Sequence, residues 1–323
     1  SLRMVLIYRR GMFQMRIASL FLIGIQLACA SVVPVSDIES SSLVVQDKVG
    51  VLLMAHGADD EWNQSVAEAV DPISENLPIA VAYGMANPMT LQAGLDSLDS
   101  QGVTHVAVVR MFLSGQSFLD QTNYFLGLSD EPPEMFVMMG PMAQNPEMRN
   151  QLHHNQIVAT HLEGIIDSDM PAIIMSERAS DLSSSVHDEA VLLIAHGAGD
   201  EQENNTILDA MGRVIQKLEM AGYADVDAMT LREDWEEERI IAEKNIRAYV
   251  SRMTQEGLSV IVLPMRLSGF GPYAEVLNGL DYSPGTGLLP HSELSNWVRS
   301  MTQKVIESEG WNVDAVKLLG SGF

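Results

Sequence analysis

The chain has a single cysteine, Cys29, in 323 residues. Cys29 sits in a segment expected to be removed, so the mature chain is expected to hold no thiol. That excludes zinc–thiolate sites, iron–sulfur clusters and thiol catalysis. Basic residues are scarce as well: 19 Lys plus Arg face 43 Asp plus Glu, for a net charge of −24. Phosphate binding needs a basic surface, so nucleic acid is excluded as a partner, and docking on anionic lipid with it. An acidic surface suits solubility and is compatible with cations. The sequence also lacks a Walker loop, HExxH, GxSxG and a dinucleotide fingerprint, so no organic cofactor is expected.

The beginning of the chain does not read as fold. From Met15, Arg16 supplies a positive end, Ile17 to Leu27 a short apolar run, and Ala28-Cys29-Ala30 a small-residue cleavage pattern. This is the layout of a secretory signal, and the run is too short for a comfortable membrane span of about 20 residues. Residues 1–30 are therefore expected to be cleaved, leaving a periplasmic or secreted protein with no stable membrane insertion. A lipid-modified Cys29 is the alternative.

Residues 31–47 and 177–188 (ERASDLSSSVHD) read as linkers. They bound two matching segments, 48–176 and 189–323. Each opens with an uninterrupted apolar run, Val49 to Met54 and Ala190 to Ile194, that ends in Ala-His-Gly-Ala followed by Asp-Glu. A continuous apolar run suits a parallel strand buried on both faces, and acids at this position favour the start of the next helix. A second pair of strands is expected at His105–Met111 and Ser259–Pro264, both leading into Leu-Ser-Gly, at 113–115 and 267–269. The helices before them end at Gly102 and Gly257; in the second, Ala242, Ile246, Tyr249, Val250 and Met253 share a face. Further strands are expected at Ile79–Tyr83, Phe136–Met139 and Val226–Thr230. Alternating strands and helices predict an α/β fold: two tandem units, each a parallel sheet with helices on both faces. Ligands then sit beyond the C-terminal strand ends, where both His-Gly and both Leu-Ser-Gly turns fall.

His56 and His196 are the leading candidates, because the same residue recurs at the same strand end ahead of a glycine that permits close backbone approach. Neutral imidazole ligates divalent transition metals and accepts protons near neutral pH. His291, in Gly287-Leu-Leu-Pro-His291, is a further metal candidate, with Gly140-Pro141 as the first-half counterpart of that loop. Glu275 is a candidate base or ligand. Arg110 and Arg266 are candidates for substrate carboxylates. Ser114 and Ser268 in the turns, and Tyr273 beyond the second, join them as substrate-binding candidates. Asp234–Glu238 (DWEEE) reads as a solvated helix start, and His153, His154 and His161 as surface residues of a polar helical stretch.

The ordered, duplicated pattern of apolar strand, His-Gly, acidic helix start, Gly-Val, strand and Leu-Ser-Gly resembles the class II tetrapyrrole chelatases of the CbiX/SirB type, over roughly 48–140 and 190–297. The resemblance implies two chelatase-like domains facing a cleft. It also implies a carboxylate-rich tetrapyrrole substrate, sirohydrochlorin, that loses two pyrrole protons as Co²⁺ or Fe²⁺ enters, with Ni²⁺ a further candidate metal. His56 and His196 match the family's first metal-binding histidine. The family's second histidine, just after Leu-Ser-Gly, is replaced by Gln116-Ser117 and Phe270-Gly271. The second half is thus expected to carry the activity, through His196 with His291 or Glu275. A non-catalytic metal or haem-like tetrapyrrole carrier on the same scaffold is the alternative. No partner stripe marks an oligomeric state.

Overall fold

A computed structural model of the chain describes residues 47–57, 59–74, 76–138 and 144–313. The expected signal at 1–30, Cys29, most of the 31–47 linker and Gly140-Pro141 lie outside the described residues. The described residues fall within one compact unit.

The first half runs β1 (Val49–Ala55), α1 (Asp60–Ser74), β2 (Ile79–Tyr83), α2 (Pro88–Ser100), β3 (His105–Met111), α3 (Leu119–Phe125), β4 (Ile157–Thr160) and α4 (Met170–Leu182). The second runs β5 (Glu189–Ala195), α5 (Glu201–Ala210), α6 (Gly212–Ala221), β6 (Asp225–Thr230), α7 (Glu236–Gln255), β7 (Ser259–Met265), α8 (Tyr273–Val276), β8 (Ser283–Pro284) and α9 (Glu293–Glu309). Each half forms one parallel four-stranded sheet of the same topology, β2-β1-β3-β4 and β6-β5-β7-β8. The α/β reading, with one parallel sheet in each of two tandem units, therefore holds.

Strand β1 is buried along its whole length and divides its side chains between two cores. Leu52 and Met54 face α2 and α3, while Val49, Val51 and Leu53 face α1. Strand β5 repeats this, with Leu192 and Ile194 against α7 and with Val191 and Leu193 against α6. Burial on both faces is why neither strand alternates with polar residues. Gly102 and Gly257, both at positive φ, follow α2 and α7 as expected, and the Asp200 carboxylate caps α5 by accepting from Glu203 N–H.

The last helix of each half crosses to the other half. Helix α9 packs on α1 and β3 of the first half, where the Ser295 hydroxyl donates to the Ala69 carbonyl. Helix α4 packs on α6 and β7 of the second. The two halves therefore share one continuous apolar core. The expected 177–188 linker begins inside α4, because Ile174, Met175 and Ala179 carry the helix onto the second half's core.

Two expectations fail at the fourth strand. Residues 136–138 form no strand; Phe136 instead packs against Tyr124 and Phe125. The strand is Ile157–Thr160, in the stretch read as polar helix. Its neighbour His161 is buried rather than exposed. Among the described residues, no helix is long and apolar enough to cross a membrane.

Candidate functional site

In each sheet the chain steps from the first strand to a neighbour on one side and then returns to the other side. That makes a switch point between β1 and β3, and another between β5 and β7. The crevice beyond the strand ends at such a point is the default ligand site of open α/β sheets. Here the two crevices meet. His56 and Gly57 after β1, Phe112, Leu113, Ser117 and Phe118 after β3, His196 after β5, and Arg266, Leu267 and Ser268 after β7 line one cleft of about 730 Å³. That volume falls in the range of roughly 300–1,000 Å³ common for small-molecule sites. Trp62, Met85 and Met265 complete the wall. His196 also lines an adjoining hollow of about 430 Å³ with Ser114, Gln116, Asp167 and Glu203.

The two histidines are built alike. The Nδ1 of His56 lies 2.8 Å from the Gly57 carbonyl, and that of His196 lies 2.9 Å from the Gly197 carbonyl. A carbonyl only accepts, so Nδ1 carries a proton in both rings, and a neutral ring leaves its lone pair at Nε2. The glycines adopt φ of 78° and 86°, and a Cβ on Gly197 would stand 2.7 Å from Thr230 Cβ. They serve the tight turn onto the neighbouring strand.

The rings differ in what they face. His196 Nε2 lies 3.2 Å from Asp234 Oδ2, and its ring meets Trp235 edge-on at 6.0 Å. His56 has no carboxylate partner among the described residues. The loop that delivers Asp234 is tied down on both sides. Arg232, at φ 56°, donates to the Gly199 carbonyl and to Glu201; Glu233 N–H donates to the His196 carbonyl; and the Glu233 carboxylate takes Arg266 and the Tyr273 hydroxyl. Asp234 was expected to be solvated, and it is 74% exposed, yet it is the carboxylate that reaches the histidine. Its place just past the C-terminal end of β6 is the signal that could have found it. The apolar wall of Trp62, Met85, Phe112 and Phe118 is not legible in the sequence, because those residues come from three separate segments. Phe118, a non-glycine residue at φ 56°, is a backbone outlier on that wall.

Arg110 does not face the cleft. It is 1% exposed and donates to the carbonyls of Ser117 and His161 and to the Thr160 hydroxyl, and burial lowers its pKa to about 10. It is a bracket between strands, buried outside the cleft lining.

Arg266 does line the cleft but is ion-paired with Glu233. Burial opposes its charge, while Tyr273 and Glu233 outweigh burial and raise its pKa. Tyr273 is buried with its hydroxyl on Glu233, and burial together with that carboxylate raises its pKa. Glu275 is exposed on α8, outside the cleft lining. Ser268 lines the cleft; Ser114 lines the adjoining hollow and accepts from Gln116 N–H.

His291 lines neither the cleft nor the hollow that His196 lines, and the expected pairing is not seen. Its Nε2 donates to Glu177 at 2.8 Å, its Nδ1 accepts from Glu293 N–H, and the neighbouring Pro290 carbonyl takes Arg178. Both partners Glu177 and Arg178 lie on α4, so His291 clamps the crossing helix. The counterpart of its loop is also not Gly140-Pro141. Leu288 and Leu289 N–H donate to the Arg266 and Leu267 carbonyls just as Ile165 and Ile166 N–H donate to those of Phe112 and Leu113, which pairs Gly287-Leu-Leu with Gly164-Ile-Ile. Among the described residues, no group of three His, Cys, Asp or Glu gathers to hold a metal.

Comparison with known proteins agrees with this architecture. The CbiX family model matches residues 50–155. The structure of SirB from Bacillus subtilis with Fe³⁺ superposes with a TM-score of 0.57 at 14% identity, covering 83% of this chain and 100% of that one. At that identity the likeness is one of fold. A periplasmic-binding ribose operon repressor protein from Lactobacillus acidophilus matches at a TM-score of 0.28 and 11% identity, covering 72% of this chain and 70% of that one. No curated protein matches the sequence. The family match and the shared fold bear out the resemblance to the class II chelatase family.

Proposed function

We propose that this protein inserts a divalent metal, Co²⁺ or Fe²⁺, into a tetrapyrrole, with both metal and macrocycle as substrates. The observation that carries the reading is that His56 and His196, from the two halves of the chain, line one cleft of macrocycle size. Each presents an Nε2 lone pair when neutral. The metal is handed to the four pyrrole nitrogens, so the protein needs a transient ligand rather than a closed cage, consistent with the lack of a three-ligand cluster among the described residues.

Insertion releases two pyrrole protons, one from each N–H, as the metal bonds to all four nitrogens. The asymmetry of the rings supports a division of labour. When the His196 imidazole takes a proton at Nε2, the imidazolium donates to Gly197 O and to Asp234 at once, and the carboxylate stabilises the charge. His196 is therefore the proton acceptor. His56, with no carboxylate to compete for its lone pair, is the metal-delivering ligand. The second proton leaves with solvent from the open cleft.

Anaerobic protein, Co²⁺ and metal-free tetrapyrroles (sirohydrochlorin and porphyrins in parallel) test this by the change in visible absorbance. Insertion faster than the no-protein control, lost in His196→Ala with an unchanged far-UV dichroism spectrum, is the expected result. A shifted macrocycle spectrum without acceleration would replace the enzyme with a carrier that uses the same cleft.

We further propose export, on the signal-like pattern of residues 16–30 alone; cell fractionation tests it, and a cytoplasmic, full-length chain would overturn it.

A further inference from the structure

We propose that the macrocycle taken by this cleft is an apolar one carrying two carboxylates rather than eight. The inference rests on the tetrapyrrole reading above and concerns which member of that class fits.

Recognition of a polycarboxylate needs cations, best supplied as arginine forks that bind each carboxylate through two hydrogen bonds. Among the described residues, Arg266 is the one Lys or Arg that lines the cleft. Its guanidinium is ion-paired through Nη1 with Glu233, which offsets its charge and which Tyr273 also holds in place. The other arginine of the strand ends, Arg110, is buried outside the cleft lining and donates to backbone carbonyls. The wall is instead Trp62, Met85, Phe112, Leu113, Phe118, Met265 and Leu267, a set of rings and thioethers suited to the faces of an apolar macrocycle.

The surrounding field points the same way. Asp234 stands exposed at the rim beside His196, and the chain carries a net charge of −24. At about 0.1 M salt, charges interact over roughly 10 Å, so every added carboxylate at the mouth of this cleft meets repulsion without a compensating cation. Two carboxylates can stay in solvent at the open side; eight ring the whole macrocycle, and some must face the apolar wall.

The test is an equilibrium titration of the full protein with three metal-free porphyrins that differ in carboxylate number: uroporphyrin with eight, coproporphyrin with four, mesoporphyrin with two. Affinity is expected to rise along that series by about tenfold or more, with the gap narrowing as salt is raised. Ser268→Arg, on the exposed rim, is expected to tighten uroporphyrin selectively, and Ser268→Glu to weaken it. Uroporphyrin binding as tightly as mesoporphyrin overturns the inference, as does an unchanged series in both Ser268 variants, because the macrocycle would then lie elsewhere. Faster Co²⁺ insertion into uroporphyrin than into mesoporphyrin would leave the chelatase and remove this substrate class. The expected affinity order without any insertion would leave the class and remove the chelatase. Failure to bind any of the three overturns both.

Discussion

His196 Nε2 stands 3.2 Å from Asp234 Oδ2, whereas His56, at the same strand end of the other half, faces no carboxylate among the described residues. Two copies of one turn have thus become two different chemical groups in one cleft.

Asp234→Asn is expected to keep the fold, since the side chain is 74% exposed. It removes the charge that stabilises the imidazolium, and insertion should slow by about tenfold or more. The His196→Ala, Asp234→Asn double variant should be no slower than His196→Ala alone, because the carboxylate acts through the ring. Steady-state rates of all three check this; additive losses would make Asp234 an independent group.

His56→Ala is expected to act on metal supply rather than on proton removal. The Co²⁺ concentration for half-maximal rate should rise by on the order of tenfold, with a smaller change in the rate at saturating metal. Equal losses in both quantities would place His56 in the chemical step.

Gly115→Ala should destabilise strongly. A Cβ there would stand 2.0 Å from the Leu162 carbonyl oxygen and 2.9 Å from Gly164 N, both backbone atoms of the loop after β4. Neither can move without opening the turn, and a loss of roughly 3 kcal/mol or more is expected. Gly127→Ala is the comparison for backbone conformation alone, since its Cβ would meet nothing within 4 Å and its φ is 68°. Urea midpoints of the two variants separate clash from strain.

His161 gives a pH dependence. Burial, aided by the Arg110 charge, lowers its pKa from 6.5 to about 4. The unfolded chain therefore binds this proton before the folded one does. The stability associated with the neutral ring is present in full above pH 6.5 and is lost progressively as pH falls from 6.5 to about 4, by on the order of 3 kcal/mol. His161→Gln, which can still accept from Arg110 N–H, should flatten that part of the stability–pH curve. Chemical denaturation at several pH values, wild type against variant, reads the difference, and parallel curves would contradict it.

Ending the chain after Ser292 removes α9 and bares its seat on α1 and β3. The first half should lose protection although none of its own residues has been touched. Hydrogen exchange over 49–55 and 105–111 is the readout; full protection there would show that the first half folds without the crossing helix.

Much of this was legible in the chain itself. Val49–Met54 and Ala190–Ile194 announce strands buried on both faces, because only a strand flanked by two cores tolerates an unbroken apolar run. The repeated His-Gly after them locates a ligand site, since parallel strands all end on one side of their sheet. These inferences are local: they follow from neighbours along the chain. Tertiary structure decided the rest. Arg110 and Arg266 look alike beside their turns, yet one is buried against His161 and the other rests on Glu233. His291 looked like a ligand and proved to clamp α4, because a helix crossing from the other half brings Glu177 to it. Asp234 looked like solvated helix start and proved to be the partner of His196. In each case the deciding contact joins segments far apart in the chain. The composition of either segment carries no record of which groups long-range packing will bring within hydrogen-bond reach.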